Sequence, residues 1–256
     1  MSQRTQQYRY VVSLLFAGLL LAGGGWAGLR SLRISENPLP WVGGAFLALC
    51  LLCWRVRTAF AREPGKLPAA WFPGLANQIT VFRGLLVSLA AGFLFIDPPA
   101  GFAAWIPVML YSTALILDGF DGFVARLRKE TSAFGAFLDL DLDAWGTLIG
   151  ILLAIHAGGL PVWYIPAGIV YYLFAFGRWR REKRGLPLHP LPESRYRRSV
   201  AVIQWLLIVL ALLPVTLPME IGGAAAPIMT AMLAGFLRDW WIVTGYALPA
   251  FLRTIP

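Results

Sequence analysis

The chain has 256 residues, of which 58% are hydrophobic and 14% are charged, and its formal net charge at pH 7 is +9. Soluble domains carry about 25% charged residues, so this composition, with a mean hydropathy of +0.66, excludes an ordinary soluble enzyme. The basic residues cluster at the ends of apolar segments, where they set topology and touch anionic headgroups, so they do not indicate nucleic-acid binding. The composition predicts a polytopic protein embedded in the lipid bilayer.

Eight apolar segments follow one another along the chain, and most are close to the roughly 20 residues that span a bilayer as a helix. They cover about residues 10–29, 41–54, 79–96, 104–125, 134–156, 162–177, 200–217 and 224–247. Residues 66–78 are too short to span and predict an interfacial stretch. The predicted fold is an all-α membrane bundle. Two N-terminal transmembrane helices (residues 1–65) precede a six-helix core with its interfacial entry segment (residues 66–256).

The distribution of basic residues orients the predicted helices. With eight spans, all large basic clusters fall on one side of the membrane, and the opposite loops carry only Arg30 and Arg33. The positive-inside rule makes that side the cytoplasm. We therefore expect a protein of the bacterial cytoplasmic (inner) membrane with both termini in the cytoplasm. No cleavable signal peptide is expected, because the first apolar run lacks a clear small-residue cleavage site.

Four aspartates lie inside two of the apolar segments, Asp118 and Asp121 in the fourth and Asp139 and Asp143 in the fifth. A carboxylate at mid-membrane costs roughly 2.5–3.5 kcal/mol, so the set requires compensation by cations. Spacings of three and four residues put each pair on one helix face. The short connection between the segments predicts antiparallel neighbours whose acidic faces converge. Such oxygen ligands suit Mg²⁺, Mn²⁺ or Ca²⁺, and two divalent ions would roughly neutralise the cluster.

Small residues and one arginine flank the aspartates. Gly122, Ala125 and Gly135 leave room for a ligand to approach the backbone, and Arg126 can pair with phosphate at the rim. Helix packing and topology explain each of these residues singly. They do not explain aspartates inside the membrane, and the cluster lies near the cytoplasmic face. A site that binds a phosphate-bearing ligand and opens to the cytoplasm is therefore predicted.

These residues resemble the signature of the CDP-alcohol phosphotransferase family, D-x2-D-G-x2-A-R-x8-G-x3-D-x3-D. All eight positions occur with every spacing kept: Asp118, Asp121, Gly122, Ala125, Arg126, Gly135, Asp139 and Asp143. Upstream, Asn77, Thr80 and Arg83 are similar to the family's P-N-x-x-T-x-x-R helix start, with Ala76 in place of the usual proline. The six surrounding segments also fit the family's core. The two N-terminal segments are not part of that core, and the sequence assigns them no role.

The resemblance implies transfer of a phosphatidyl-type group from a CDP-linked lipid to an alcohol, with release of CMP. It implies two divalent ions, Mg²⁺ or Mn²⁺, held by Asp118, Asp121 and Asp139. Asp143 would also lie at the metal site and would be the general base that deprotonates the acceptor hydroxyl. The CDP moiety would contact Gly122, Ala125, Arg126, Gly135, Asn77, Thr80 and Arg83. Family members are often homodimers, and the resemblance extends that expectation to this chain.

One acid departs from the pattern. Asp141 lies about 200° around the helix from Asp139, so it is expected to face away from the site.

The acceptor alcohol is left open between glycerol 3-phosphate, inositol phosphate, serine and other alcohols. A phosphorylated acceptor needs fixed cations, which are offered by Arg195, Arg197, Arg198 and Arg238. Topology and headgroup contact also explain the first three, whereas an ionisable residue at membrane depth indicates function by default. These arginines favour a phosphorylated acceptor, of which phosphatidylglycerophosphate synthesis is the common bacterial case.

Two other classes of protein also place aspartates in membrane helices. Intramembrane prenyltransferases bind Mg²⁺ through aspartate-rich motifs, but those motifs differ from D-x2-D-G-x2-A-R. A divalent-cation transporter would distribute its acids through the bilayer depth, whereas here they cluster near one face. Release of CMP that depends on added alcohol would separate the three classes.

Overall fold

The computed structural model describes residues 3–61, 74–128, 133–192, 194–215 and 218–246. Within these ranges the chain forms eight α-helices and no strand, which confirms the predicted all-α fold. The helices are α1 (Gln3–Ser31), α2 (Leu39–Ala61), α3 (Leu75–Ala91), α4 (Trp105–Arg128), α5 (Ala133–His156), α6 (Ile165–Lys183), α7 (Arg195–Leu212) and α8 (Pro218–Thr244). Short 3₁₀ turns at Gly92–Phe95, Gly101–Ala104 and Val162–Tyr164 adjoin α3, α4 and α6.

Five helices in the described ranges are long and apolar enough to cross a membrane. The candidate spans are Thr5–Ser31, Leu39–Ala61, Leu75–Phe95, Gly101–Val124 and Ile221–Thr244. The other three, α5, α6 and α7, each carry at least three charged residues, more than the two allowed in a candidate span. All eight predicted segments coincide with helices, and the chain is a polytopic helical membrane protein.

The second helix extends beyond its apolar segment, which is short for a membrane span. The apolar run stops at Trp54, but α2 continues to Ala61. Hydropathy ends the segment there because Arg55 follows. In the structure Arg55 is a buried helical residue, and its Nη1 atom lies 2.5 Å from Asp141 Oδ2 on α5. The ion pair lets the helix continue through a charged position.

Two further boundaries differ from the predicted ones. The helix expected at Val200 begins at Arg195, because Ser194 caps it by accepting a 3.4 Å hydrogen bond from the Arg197 backbone N–H. It ends at Leu212, because the proline at position 214 favours an extended residue before it.

The predicted interfacial stretch is described only in part. Residues 66–73 lie outside the described ranges, and Leu75–Gln78 form the first turn of α3. The predicted domain boundary at residues 65 and 66 also lies outside the described ranges and stays a prediction.

The chain divides into two compact units, residues 1–149 and residues 150–256. In the first unit α2 packs closely on α3, since Trp41 lies against Gly92 and its ring meets Phe93 edge-on at 5.8 Å. In the second unit the hydroxyl of Tyr196 on α7 donates a 2.6 Å hydrogen bond to the Ala231 carbonyl on α8. Close approach at small residues and interhelical hydrogen bonds are the means by which helices associate in lipid. The first unit holds the candidate site.

Candidate active site

The helix α3 brings the polar residues of the upstream motif to one buried side. Asn77, Thr80 and Arg83 recur every three residues, and each is less than a tenth exposed. Residues at this spacing are neighbours on a helix surface. The side that they form faces α4, because the Thr80 hydroxyl donates a 2.7 Å hydrogen bond to Asp121 Oδ2.

The guanidinium group of Arg83 contacts carboxylates from two helices. Its Nη1 atom pairs with Asp118 Oδ1 and lies 3.7 Å from Asp121 Oδ2, both on α4. Its Nη2 atom lies 3.1 Å from Asp139 Oδ1 and 2.8 Å from Asp143 Oδ1, both on α5. The structure therefore brings all four predicted aspartates together around one arginine. We call these five residues the carboxylate cluster.

The single positive charge of Arg83 does not balance the negative charges of the four aspartates around it. Four ionised aspartates and one guanidinium leave a net charge of −3. Arginine stays protonated in proteins, so its contribution is fixed at one positive charge. Because uncompensated charge at membrane depth is costly, the cluster favours the binding of further cations.

Three of the aspartates have the arrangement of a metal site. One oxygen atom from each of Asp118, Asp121 and Asp139 lies within 4.8 Å of the other two. Opposite ligands of Mg²⁺ are about 4.2 Å apart and those of Ca²⁺ about 5 Å apart, so small side-chain adjustments bring these oxygens to one ion. An all-oxygen set suits Mg²⁺ or Mn²⁺ and not zinc, which prefers His and Cys. Arg83 and a metal ion would share the carboxylates of Asp118 and Asp121.

Exposure gives the carboxylate cluster an inner and an outer side. The side chains of Asp121 and Asp118 are 5% and 17% exposed, whereas those of Asp143 and Asp139 are 27% and 44% exposed. The accessible carboxylates therefore belong to α5. A ligand can reach Asp143, while the Asp121 carboxylate is enclosed and held by Thr80.

The remaining motif residues lie on the same two helices. Gly122 on α4 and Gly135 near the start of α5 are both half-buried. Ala125 and Arg126 belong to the last part of α4, but their side chains lie outside the described part of the structure. Their predicted contacts with the CDP moiety stay predictions.

The arginines predicted to bind the acceptor lie in the second unit. Arg195 and Arg198 are exposed in the first turn of α7. The Nη1 atom of Arg197 instead lies 3.0 Å from Oδ2 of Asp239, a buried residue of α8. Arg238, the preceding residue on α8, is half-buried. Arg197 is thus engaged within the protein, whereas its two neighbours on α7 are presented at the surface.

Sequence reasoning missed the partner of Asp141. This residue pairs with Arg55 on α2 and not with Arg83. A signal was available, because an acid inside a membrane helix needs a cation and Arg55 directly follows the second apolar segment. To predict that Arg55 pairs with Asp141, one must know that α2 and α5 are in contact. A single sequence does not contain that information.

Comparison with known proteins identifies the family. The profile of the CDP-alcohol phosphatidyltransferase family matches residues 74–247, more than half of the chain. The chain therefore belongs to the CDP-alcohol phosphatidyltransferase family. The match includes α3 to α8 and the whole carboxylate cluster, and it leaves α1 and α2 outside.

Several characterised proteins resemble parts of the chain. The CDP-diacylglycerol-glycerol-3-phosphate 3-phosphatidyltransferase of Cereibacter sphaeroides is 33% identical over 113 residues, which are 43% of this chain and 50% of the relative. The Yersinia enterocolitica protein of the same name is 33% identical over 91 residues, 36% of this chain and 48% of the relative. The bifunctional IPC transferase and DIPP synthase of Thermococcus kodakarensis is 31% identical over 144 residues, 51% of this chain and 32% of the relative.

The matched part of the chain spans about half the length, or less, of these relatives. No solved structure matches the chain with statistical significance.

Replacing Arg83 by glutamine removes the guanidinium charge, so the stabilising effects of Arg83 and of bound metal can be measured separately. We expect Arg83→Gln to lower the free energy of unfolding without metal by about 3–5 kcal/mol, the cost of breaking a buried ion pair. Because Mn²⁺ then meets a more negative cluster with no competing guanidinium, it should raise the Tm of the variant more than that of the wild type. Thermal unfolding in detergent, with and without Mn²⁺, measures both effects.

Arg57→Gln provides the control, because Arg57 is an exposed residue of α2. It should follow the wild type in both conditions. An Arg83→Gln protein with the wild-type Tm in the absence of metal would contradict the central position of Arg83.

Proposed function

We propose that the protein transfers the phosphatidyl group of CDP-diacylglycerol to glycerol 3-phosphate and releases CMP. The observation that carries the proposal is the convergence of all four motif aspartates on Arg83 in one accessible cluster. Membership of the CDP-alcohol phosphatidyltransferase family supports the reaction class. It favours this class over an intramembrane prenyltransferase or a divalent-cation transporter.

We propose that the site holds two divalent ions, Mg²⁺ or Mn²⁺. Their ligands would be Asp118, Asp121 and Asp139, and Asp143 would also lie at the metal site. Two such ions more than offset the net charge of −3 that remains after Arg83. When bound, they supply positive charge that holds the diphosphate and stabilises the departing CMP. Because the carboxylates of α4 and α5 would hold the metal in a fixed place, they would also orient the diphosphate relative to Asp143.

The carboxylate of Asp143 is proposed to be the general base. It accepts the proton of the acceptor hydroxyl while the acceptor oxygen forms a bond to the lipid-linked phosphorus. The bond between that phosphorus and the bridging oxygen of CMP breaks, and CMP leaves with the bonding electrons. Arg83 Nη2, 2.8 Å from Asp143 Oδ1, keeps this carboxylate oriented.

The CDP moiety is proposed to contact the other motif residues, by analogy with the family signature. These residues are Gly122, Ala125, Arg126, Gly135, Asn77, Thr80 and Arg83. Thr80 and Arg83 already contact the aspartates, so their contribution includes holding the carboxylates in place.

The acceptor site is proposed to use the arginines of the second unit. The names of the Cereibacter and Yersinia relatives support glycerol 3-phosphate as the acceptor. A phosphate group needs cations that it can reach, and Arg195 and Arg198 are exposed on α7. We therefore assign the phosphate to these two arginines, together with Arg238 on α8, while Arg197 pairs with Asp239. Transfer to a non-phosphorylated alcohol such as serine stays the alternative prediction.

The cellular setting completes the proposal. The charge distribution supports a bacterial inner-membrane protein with its termini and active site facing the cytoplasm. We further propose that residues 1–65 form a two-helix extension to the core, and that the protein is a homodimer as is common in the family. The family match that begins at residue 74 supports the first of these points.

Release of CMP from CDP-diacylglycerol tests the reaction. With Mg²⁺ or Mn²⁺ present, we expect release that depends on glycerol 3-phosphate, and not on serine or inositol phosphate. Loss of a general base lowers rates about 10²–10⁴-fold, so Asp143→Asn should lower kcat by that factor. Asp97→Asn, at an exposed loop position, should retain wild-type activity.

Two results would contradict the proposal. Wild-type activity in Asp143→Asn would remove Asp143 from the chemistry. Absence of CMP release with every alcohol, from a folded protein, would remove the reaction itself.

The acceptor site makes a separate prediction. Removing one charge-assisted contact costs about 1.5–3 kcal/mol, so Arg198→Ala should raise KM for glycerol 3-phosphate about tenfold to a hundredfold. KM for CDP-diacylglycerol should stay within about twofold of the wild-type value. The control Lys183→Ala, at an exposed position in the same unit, should leave both KM values within about twofold of the wild type. Equal increases in KM for both substrates would argue against an acceptor role.

A further inference from the structure

A buried ion pair joins the N-terminal extension to the helix that carries half of the carboxylate cluster. Arg55 on α2 and Asp141 on α5 lie 2.5 Å apart through Nη1 and Oδ2, and their side chains are 10% and 17% exposed. The family match begins at residue 74, so no family feature accounts for Arg55. Asp141 falls at an unspecified position of the family signature, between Asp139 and Asp143.

Two aromatic contacts join α2 to α5 on either side of this pair. The guanidinium carbon of Arg55 lies 5.6 Å from the ring centroid of Trp145, one turn after Asp141, which is within cation–π range. At the start of α5, Phe134 stacks on Phe60 with ring centroids 4.5 Å apart and planes 17° apart. From residue 134 to residue 145 the helix advances about 16 Å. The extension therefore holds α5 along more than three turns.

The contact between α2 and α5 bears on the active site because the carboxylates of α5 have partners on two different helices. Asp139 and Asp143 contact Arg83 on α3, whereas Asp141 contacts Arg55 on α2. A rotation of α5 that separates one set of partners also separates the other. For side chains about 5.5 Å from the helix axis, a 20° rotation moves a carboxylate by about 2 Å. A misplacement of 1 Å can cost about 10²-fold in rate.

We infer that α2 is a positioning element for the active-site helix. The pair of Arg55 and Asp141 fixes the rotation of α5, and so keeps Asp139 and Asp143 directed at Arg83 and the metal donors. Buried ion pairs contribute little net stability compared with apolar pairs, but they can specify one geometry. The effect of the pair on turnover rests on the proposed function. Its effect on Mn²⁺ affinity rests only on the metal site proposed at the carboxylate cluster, not on the reaction.

The test compares removal of one partner with removal of both. Arg55→Met and Asp141→Leu each leave a lone buried charge, so both should lower Tm and weaken Mn²⁺ binding about 10–100-fold, as for groups that orient metal ligands. The double variant Arg55→Met/Asp141→Leu has no lone charge and should regain most of the lost Tm. Because the ion pair then no longer fixes the rotation of α5, the Mn²⁺ affinity of the double variant should stay at least about tenfold below the wild type.

Turnover provides a second measurement on the same variants. In the double variant kcat should fall, while KM for glycerol 3-phosphate stays within about twofold, because the acceptor arginines are not on α5. Arg57→Met, at an exposed position of the same helix, should match the wild type in Tm, Mn²⁺ affinity and kcat.

Two outcomes would overturn the inference. If the double variant regains both the wild-type Tm and the wild-type Mn²⁺ affinity, the two residues only neutralise each other's charge and do not position α5. An Arg55→Met variant that behaves like Arg57→Met would leave the pair without any role. If the wild type binds Mn²⁺ but releases no CMP, the proposed function fails, and the Mn²⁺ affinities of the variants still decide the positioning role.

Discussion

The cost of placing carboxylates in a low-dielectric membrane interior governs the structure of the first unit. Four aspartates on α4 and α5 converge on Arg83, so each carboxylate has a cationic neighbour within the protein. One guanidinium cannot balance four carboxylates. This imbalance favours the binding of divalent cations, which is why we propose a metal site at the carboxylate cluster.

The same constraint organises the contacts around the site. Asp141 cannot share Arg83, because it faces another side of α5, and it is compensated by Arg55 from outside the family core. In the second unit, Asp239 is compensated by Arg197. Each buried acid thereby ties two helices together. In lipid, where apolar surfaces gain little from association, such pairs and the close approach of helices at small residues such as Gly92 determine how helices meet.

The convergence of the four aspartates could be predicted from sequence, because spacings of three and four fix a helix face and a short connection fixes neighbouring helices. The central position of Arg83 could not, because the sequence does not tell whether a side chain in the middle of α3 points to solvent, substrate or protein. The extent of α2 beyond Trp54 could not be predicted for a related reason. Hydropathy treats Arg55 as a terminus, whereas a buried partner makes it an interior residue. The start of α7 was missed because its capping serine precedes a polar first turn.

Divalent metal bound by Asp118, Asp121 and Asp139 is the proposal on which the chemistry of the site depends. The most direct test is Mn²⁺ binding to the purified protein in lipid nanodiscs, by calorimetry and electron paramagnetic resonance. We expect saturable binding by the wild type, weakened at least about tenfold in Asp118→Asn and Asp139→Asn and unchanged in Asp97→Asn. Wild-type Mn²⁺ affinity in both cluster variants, or no saturable binding by the folded wild type, would contradict the proposal.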